Sequence, residues 1–246
     1  TLAAVQTAKT VIAVINPNVP RAWGDAIIKL SDIDIFCEDN TPLIEAKPAQ
    51  PSEQDIQIGK NCAGLIEDGA CLQMGIGAIP NAVLSQLGNH KNLGIHTEVL
   101  PLYYKGVINN LNKKYDKGKI VSTFLMGSKA VYDFIDDNPA VAMMDVGYTN
   151  DPYIIAQQPK MTAINSALSI VLTGQVNADS LGCKFYSGCG GQLDFIRGAA
   201  ASEGGKPIIA MPAITAKGIS KISPTLLNGA GVVTTRFDVH YVVTEY

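Results

Sequence analysis

Short, strongly apolar segments alternate along the chain with amphipathic segments of about ten residues. The apolar segments are rich in β-branched residues, which favours strands over helices. The strand candidates are residues 10–15, 70–74, 93–97, 120–125, 140–146, 161–169, 207–211 and 231–235. Alternation of this kind predicts an α/β fold, in which a mostly parallel sheet is flanked by helices on both faces.

Three of the amphipathic segments carry helix signals. The first starts near Ser52, a suitable N-cap, has apolar residues at helical spacing from Ile58 to Ile66, and is expected to end at Gly69. The other two helices are expected at residues 81–87 and 128–136, each with an apolar side.

Composition and charge narrow the class of protein. The chain has 246 residues, of which 47% are hydrophobic and 17% charged, so it can bury a large core. A net charge of −3 leaves no basic excess for nucleic acid or an anionic membrane, which favours a small-molecule partner. No apolar run reaches the roughly 18 residues that a membrane span needs.

Cysteine usage and the chain ends give two further expectations. The cysteines are odd in number and form no C-x-x-C pair, which favours a reducing, cytoplasmic compartment; they are Cys37, Cys62, Cys71, Cys183 and Cys189. The chain opens at Thr1 without a Met and closes within a strand-like run. We therefore expect the native polypeptide to be longer at both ends.

A glycine-rich turn, residues 75–80, follows the strand candidate at residues 70–74. Gly75 and Gly77 let a ligand approach the main chain, and N–H groups between a strand and a helix can hold an anion. Pro80 replaces the last glycine of a dinucleotide-binding G-x-G-x-x-G, and no Gly-Lys-Ser/Thr follows. Nucleotide binding is therefore disfavoured, and an ordinary tight turn stays an alternative.

Glu98 follows the next strand candidate, residues 93–97. If the two strands are neighbours in a parallel sheet, Glu98 and the glycine turn meet at the same edge, where α/β proteins bind ligands. A carboxylate there could be a metal ligand, a general base, a nucleophile or a simple surface acid. His96 shares its face of the strand, and a structural role is favoured over a catalytic one.

The third candidate feature is a second glycine-rich segment, residues 187–195, with glycines at 188, 190 and 191. No regular element is expected there, and its exposed N–H groups could complete an oxyanion pocket or form a flexible turn. Serine hydrolase chemistry lacks a G-x-S-x-G motif. The three histidines, His90, His96 and His240, have no metal-binding spacing, so no metal site is predicted.

Several segments together resemble class I acyl-CoA:carboxylate CoA-transferases and acetyl-CoA hydrolases, in the subgroup that acts on 4-hydroxybutyrate, butyrate and acetate. The resemblance rests on residues 75–84 (GIGAIPNAVL), 93–98 (LGIHTE), 106–110 (GVINN), 123–127 (TFLMG), 150–152 (NDP), 190–198 (GGQLDFIRG) and 242–246 (VVTEY). The chain departs from this family in two places. The segment after Glu98, residues 99–105, is shorter than in relatives, and residues 216–220 are one residue short after the glycine.

The resemblance implies a NagB/RpiA/CoA-transferase-like α/β fold. Residues 1–48 would be the end of an N-terminal domain or a linking segment, and residues 49–246 the C-terminal catalytic domain. It also implies transfer of coenzyme A between an acyl-CoA and a short-chain carboxylate, through a thioester of coenzyme A with Glu98. The family resemblance implies no permanently bound cofactor. It also implies a homodimer or a larger homo-oligomer.

The resemblance also implies roles for other residues. Asn150 matches the family's active-site asparagine. The positions that match oxyanion or coenzyme A contacts are Gly75, Ile76, Gly77, Ala78, Ile79, Gly190, Gly191 and Lys217.

Three other functions stay open on the sequence. A hydrolase would use the same glutamate with water as acceptor, and a non-catalytic module would bind coenzyme A or a nucleotide without chemistry. A sugar-phosphate isomerase on the same fold is disfavoured, because no paired acid and basic phosphate clamp is visible.

Overall fold

The structure, a computed structural model, describes residues 2–46, 50–75, 77–100 and 107–246. The helices are α1 (Leu2–Thr7), α2 (Glu53–Ala63), α3 (Ala78–Gln86), α4 (Lys129–Ile135), α5 (Val146–Thr149), α6 (Pro152–Ala156) and α7 (Gln192–Ala201). The strands are β1 (Ile12–Ile15), β2 (Trp23–Gly24), β3 (Ile35–Glu38), β4 (Cys71–Met74), β5 (Gly94–Ile95), β6 (Val99–Leu100), β7 (Ile120–Ser122), β8 (Phe124–Leu125), β9 (Val141–Met143), β10 (Thr162–Asn165), β11 (Ser169–Val171), β12 (Val176–Asn177), β13 (Ser180–Leu181), β14 (Lys184–Phe185), β15 (Lys206–Ala210), β16 (Ile222–Ser223) and β17 (Tyr241–Val243).

The central sheet has the strand order β17-β15-β10-β4-β5, and all four pairings are parallel. His96, just after β5, forms a parallel bridge with Val121 of β7. Beyond it, β7, β9 and β2 pair in parallel and continue in the same direction. The predicted α/β fold with a mostly parallel sheet is therefore confirmed.

Helices cover both faces of this sheet, because successive residues of each strand point to opposite sides. On one face, Leu72 of β4 and Ile164 of β10 pack in the core formed with α2 and α3. On the other face, Cys71 and Ala163 of the same strands pack against α6 and α7, in a cluster that contains Phe195. Strands buried on both sides read as continuous apolar runs, which is what the sequence shows.

The expected first helix is present with a different end. Ser52 caps α2 in a reciprocal capping box with Asp55, as the sequence predicted for the N-cap. The helix ends at Ala63 with Gly64 as C-cap, six residues before Gly69, so the prediction that Gly69 ends it is wrong. The apolar residues after Gly64 belong to a tight turn and still pack on the core.

Other boundaries also differ from the sequence prediction. The strand predicted at residues 140–146 covers only Val141–Met143, and the one predicted at residues 161–169 divides between β10 and β11. Helix α3 begins at Ala78 rather than at Asn81, because Pro80 falls in the first turn, where its missing N–H costs nothing. Residues 231–235 do not form a strand; Thr234 makes only an isolated antiparallel bridge with Val176.

The first 46 residues contribute to the sheet through β2, which pairs with β9, and form a small parallel pair, β1 with β3. A domain division near residue 48 stays a prediction. Within the described ranges, no helix is long and apolar enough to cross a membrane.

Candidate active site

Two loops meet at the carboxyl edge of the central sheet. Strands β4 and β5 are parallel neighbours, with Leu72 opposite Ile95, so Gly75 and Glu98 leave the sheet at the same edge. The Thr97 hydroxyl donates to the main-chain carbonyl of Met74 at 3.0 Å and joins the two loops. This is the spatial arrangement that the order of strands predicted.

The main chain of Glu98 is held by the neighbouring strands β7 and β8. Its carbonyl oxygen accepts hydrogen bonds from the N–H groups of Thr123 and Phe124, both at 3.0 Å, and from the Ser122 hydroxyl at 3.1 Å. The side chain is half-buried, and its Oε2 accepts a 3.1 Å hydrogen bond from Nδ2 of Asn150. The carboxylate is therefore oriented before any substrate arrives.

Asn150 stands at the end of the single-turn helix α5, which is anchored on several sides. Nε2 of His96 donates to the carbonyl of Thr149 at 2.8 Å, and the Tyr148 hydroxyl donates to Oδ2 of Asp116 at 2.7 Å. At the other end, Asp145 caps α5 by accepting from the N–H of Gly147. These contacts fix the amide of Asn150 against Glu98.

His96 is fully buried, as expected for a structural role, and its ring packs beside those of Tyr148 and Phe195, with centroids 6.1 and 6.3 Å away. Because Nε2 faces a carbonyl, it carries the proton, and Nδ1 is left buried without a partner among the described residues. Burial, and then the charge of Lys113, lowers the pKa of His96 to about 4. The imidazole is therefore neutral near neutral pH.

Gly191 closes the third side of the site. It precedes α7, and a Cβ placed there would lie 2.3 Å from Nδ2 of Asn150 and 2.5 Å from Oε2 of Glu98. A larger residue would push the ends of both side chains aside, so glycine lets the main chain approach the carboxylate in its present position. The N-terminus of α7 also brings the positive end of its dipole towards Glu98. Burial, and then the charge of Glu98, raises the pKa of Asp194 in the first turn of α7.

A cavity of about 230 Å³ opens beside these groups. Its walls include Gly75, Glu98, Gly190 and Gly191. The structure therefore brings together the turn at residues 75–80, the end of the strand before Glu98 and the segment at residues 187–195. The prediction that residues 187–195 form no regular element is wrong for residues 192–195, because α7 begins at Gln192.

The other sequence-predicted site residues lie further back. Gly77 adopts a φ of +121°, which favours glycine, as the N-cap of α3. Ala78 and Ile79 form the first turn of that helix, and the Ile79 side chain packs in the core, which leaves its main chain for any ligand. Ile76 lies outside the described residues. Lys217 is exposed in a turn and is not one of the described residues that line the cavity.

Two amides on the cavity wall, Gln73 and Asn165, were not predicted from the sequence. Each lies close to the carboxyl end of a buried, mainly apolar strand, Gln73 in β4 and Asn165 in β10. A polar residue at the carboxyl end of a buried strand was the sequence signal that could have identified both amides. The described residues contain no group of three or more acids, histidines or cysteines that could hold a metal ion.

Comparisons with known proteins show what this chain is similar to. Residues 127–246 match the acetyl-CoA hydrolase/transferase C-terminal domain. The chain is 52% identical to 4-hydroxybutyrate coenzyme A transferase of Clostridium kluyveri, over 99% of this chain and 58% of that protein. It is also 52% identical to the succinyl-CoA:acetate/propanoyl-CoA:succinate CoA transferase of Fasciola hepatica, over 100% of this chain and 53% of that protein.

The fold matches as well. The crystal structure of 4-hydroxybutyrate CoA-transferase from Porphyromonas gingivalis superposes with a TM-score of 0.86 at 40% identity, over 99% of this chain and 59% of that one. The chain thus spans little more than half the length of these relatives. With the motifs, the fold and the sequence matches in agreement, the chain belongs to the family of CoA-transferases and acetyl-CoA hydrolases.

Proposed function

We propose that this chain carries the catalytic glutamate of an acyl-CoA:carboxylate CoA-transferase, and that Glu98 is the nucleophile. The observation that supports this most is the contact of Glu98 with Asn150, beside Gly191, where a Cβ would displace both side chains. Two relatives are named as CoA transferases that act with 4-hydroxybutyrate or with acetate and succinate. These names point to the same reaction class.

In the first step, a carboxylate oxygen of Glu98 attacks the carbonyl carbon of the acyl-CoA. The tetrahedral intermediate collapses with cleavage of the carbon–sulfur bond, which leaves a mixed anhydride and the thiolate of coenzyme A. The thiolate then attacks the glutamyl carbonyl of the anhydride. This forms a glutamyl-CoA thioester and releases the first acid as a carboxylate.

An acceptor carboxylate reverses both steps. It attacks the glutamyl thioester, the thiolate leaves and returns to the acyl carbonyl of the new anhydride, and Glu98 is regenerated as a free carboxylate. The energy of the thioester is conserved as long as water does not take the place of the acceptor.

Each tetrahedral intermediate carries an oxyanion, and the loops around Glu98 supply donors for it. The amide of Asn150 and the main-chain N–H groups of residues 76–77 and 190–191 are the proposed donors. Loss of one such donor typically costs about 3 kcal/mol of transition-state stabilisation. Gly75 to Ile79, Gly191 and Lys217 are the proposed contacts for coenzyme A.

The partners would be an acyl-CoA and a short-chain carboxylic acid. A homodimer or larger homo-oligomer and a cytoplasmic location remain predictions from the sequence.

Isotope exchange tests this function against its alternatives. The protein is incubated with labelled acetate and unlabelled acetyl-CoA, and label in the thioester is measured beside free coenzyme A. A transferase moves label into acetyl-CoA and releases little coenzyme A without an acceptor. Stoichiometric release of coenzyme A without exchange would favour the hydrolase, and binding of coenzyme A with neither activity would favour a non-catalytic module.

A further inference from the structure

A buried lysine lies beside the strand that leads to Glu98, and the proposed reaction does not use it. Lys113 is only 3% exposed, although lysine side chains are almost never fully buried without partners. Its Nζ donates to the main-chain carbonyls of Ile95 and Lys119, both at 2.9 Å. Ile95 belongs to β5, and Lys119 directly precedes β7. One amino group therefore joins the two strands that flank the main chain of Glu98.

Lys113 and Asn110 take the place of a neighbouring strand beside β5. The N–H groups of Gly94 and His96 bind on the β4 side, so the N–H and carbonyl of Ile95 between them point away from β4. The N–H of Ile95 donates to Oδ1 of Asn110 at 2.8 Å, and its carbonyl accepts from Lys113. Two buried side chains thus complete the hydrogen bonding of β5 on this side.

The surrounding residues accommodate the lysine in two ways. A Cβ at Gly94 would lie 2.8 Å from Cγ and 3.2 Å from Cδ of Lys113, so a side chain at residue 94 would displace the middle of the lysine stem. Burial lowers the pKa of Lys113, and the negative charge of Asp116 opposes this effect. The acid three residues later therefore offsets part of the cost of burying the amino group.

The same segment also holds the helix that presents Asn150. Oδ2 of Asp116 accepts a 2.7 Å hydrogen bond from the hydroxyl of Tyr148, which lies in α5 two residues before Asn150. Burial, and then this hydrogen bond, raises the pKa of Tyr148, so the hydroxyl keeps its proton and remains a donor. Residues 110–116 therefore bind the element that precedes each member of the contact between Glu98 and Asn150.

We propose that residues 110–116 form a brace that sets the spacing of Glu98 and Asn150, and that Lys113 and Asp116 are positioning residues for the transfer of coenzyme A. Lys113 holds the strand that leads to Glu98, and Asp116 holds α5 through Tyr148. Neither is among the described residues that line the cavity, so both act through the Glu98–Asn150 contact. The inference rests on the proposed function, because it assumes that this contact serves catalysis.

The test uses Lys113→Met, which keeps the length of the side chain and removes its donor, and Tyr148→Phe, which removes only the hydroxyl. Each should lower kcat for exchange of labelled acetate into acetyl-CoA by about tenfold, because slightly misplaced reacting groups react more slowly. KM for acetyl-CoA should stay close to the natural value, since neither side chain reaches the substrate. kcat is expressed per folded molecule, with the folded fraction taken from unfolding curves of the same preparation.

Two further measurements separate positioning from a purely structural role. In an Asn150→Ala background both losses should disappear, because residues that act through one contact are not additive. Asp116→Ala should lose as much kcat as Tyr148→Phe. Asp116→Asn should restore most of that loss, since asparagine tolerates the φ of +51° at this position and offers an amide oxygen to the Tyr148 hydroxyl.

Tyr153→Phe and Asp137→Ala are the matched controls. Tyr153 is exposed in α6, the helix that follows Asn150. Asp137 is exposed and has a φ of +50°, so its alanine variant carries the same backbone strain as Asp116→Ala without the contact to Tyr148. Both controls should keep the natural kcat.

Natural kcat in either Lys113→Met or Tyr148→Phe would overturn the brace, and so would losses that persist in the Asn150→Ala background. If Lys113→Met does not fold, Tyr148→Phe and the two Asp116 variants give the decision. In each of these cases exchange by the natural protein leaves the proposed function standing. Failure of the natural protein to exchange label would overturn the proposed function and the brace together.

Discussion

The side-chain amide of Asn150 donates a 3.1 Å hydrogen bond to Oε2 of Glu98, across 52 residues of sequence. One partner follows a strand of the central sheet and the other follows the single-turn helix α5. A donor that already points at a carboxylate needs little rearrangement when negative charge develops on the acyl oxygen beside it.

Gly191→Ala should abolish most of the activity without unfolding the protein. The φ of Gly191 is −88°, which alanine adopts readily, so the cost comes from the Cβ, which would press on both Glu98 and Asn150. A misplacement of this kind typically costs about a hundredfold in rate. Steady-state kcat and the unfolding midpoint check it.

Gly188→Ala is the control in the same loop, because a Cβ at Gly188 meets nothing within 4 Å. It should keep the natural kcat. Equal activity in the two variants would mean that the close approach at Gly191 has no catalytic importance.

Asn150→Ala should lower kcat/KM by roughly a hundredfold to a thousandfold, as loss of one oxyanion donor does elsewhere. The same change at exposed Asn89 should have no effect. If the Asn150 variant retained natural kinetics, the amide would have no catalytic role. Main-chain N–H groups alone would then have to stabilise the oxyanion.

His96 should act on the rate through Asn150. His96→Gln can keep an N–H donor towards the carbonyl of Thr149, whereas His96→Met has none, so only the second variant should lose kcat, by about tenfold. The effect should vanish when it is measured in an Asn150→Ala background, because residues that act through one contact are not additive. Losses that multiply in the double variant would assign His96 to the core alone.

The same histidine predicts a pH dependence of stability. Its pKa is about 4 in the folded protein against 6.5 as the ordinary value, so between these pH values the unfolded chain holds a proton that the folded chain does not. Stability present above about pH 6.5 should fall as the pH approaches 4, by up to about 3 kcal/mol from this group. Denaturation at several pH values should show a smaller loss for His96→Gln, which cannot titrate; equal losses would contradict burial of a neutral ring.

The sequence was enough for the sheet, since strands buried on both faces leave continuous apolar runs that are easy to recognise. It failed where a tertiary contact redirects the main chain. Residues 120–125 read as one strand, but the N–H groups of Thr123 and Phe124 turn to the carbonyl of Glu98, and the strand divides into β7 and β8. The helix starts at Ala78 and Gln192 were not predicted for a different reason. A glycine directly precedes each of them, and glycine indicates a turn.

The site was predictable to the extent that it depends on strand order. Glu98 and Gly75 follow neighbouring strands, and their position at the ends of apolar runs was enough to bring them together. Asn150 and Gly191 come from distant segments, and only the resemblance to a family connected them to Glu98. The amide pair of Gln73 and Asn165 was missed, because a single polar residue in a strand gives no sign of its partner.

The covalent role of Glu98 is tested most directly by trapping its thioester. The protein is mixed with acetyl-CoA without an acceptor, reduced with borohydride, digested and analysed by mass spectrometry, with Glu98→Gln and the exposed Glu203→Gln treated in parallel. Borohydride reduces a thioester to a primary alcohol, so Glu98 should carry a hydroxymethyl group in place of its carboxyl group in the natural protein and in the Glu203 variant. An unmodified Glu98 in a preparation that transfers coenzyme A would contradict the mechanism.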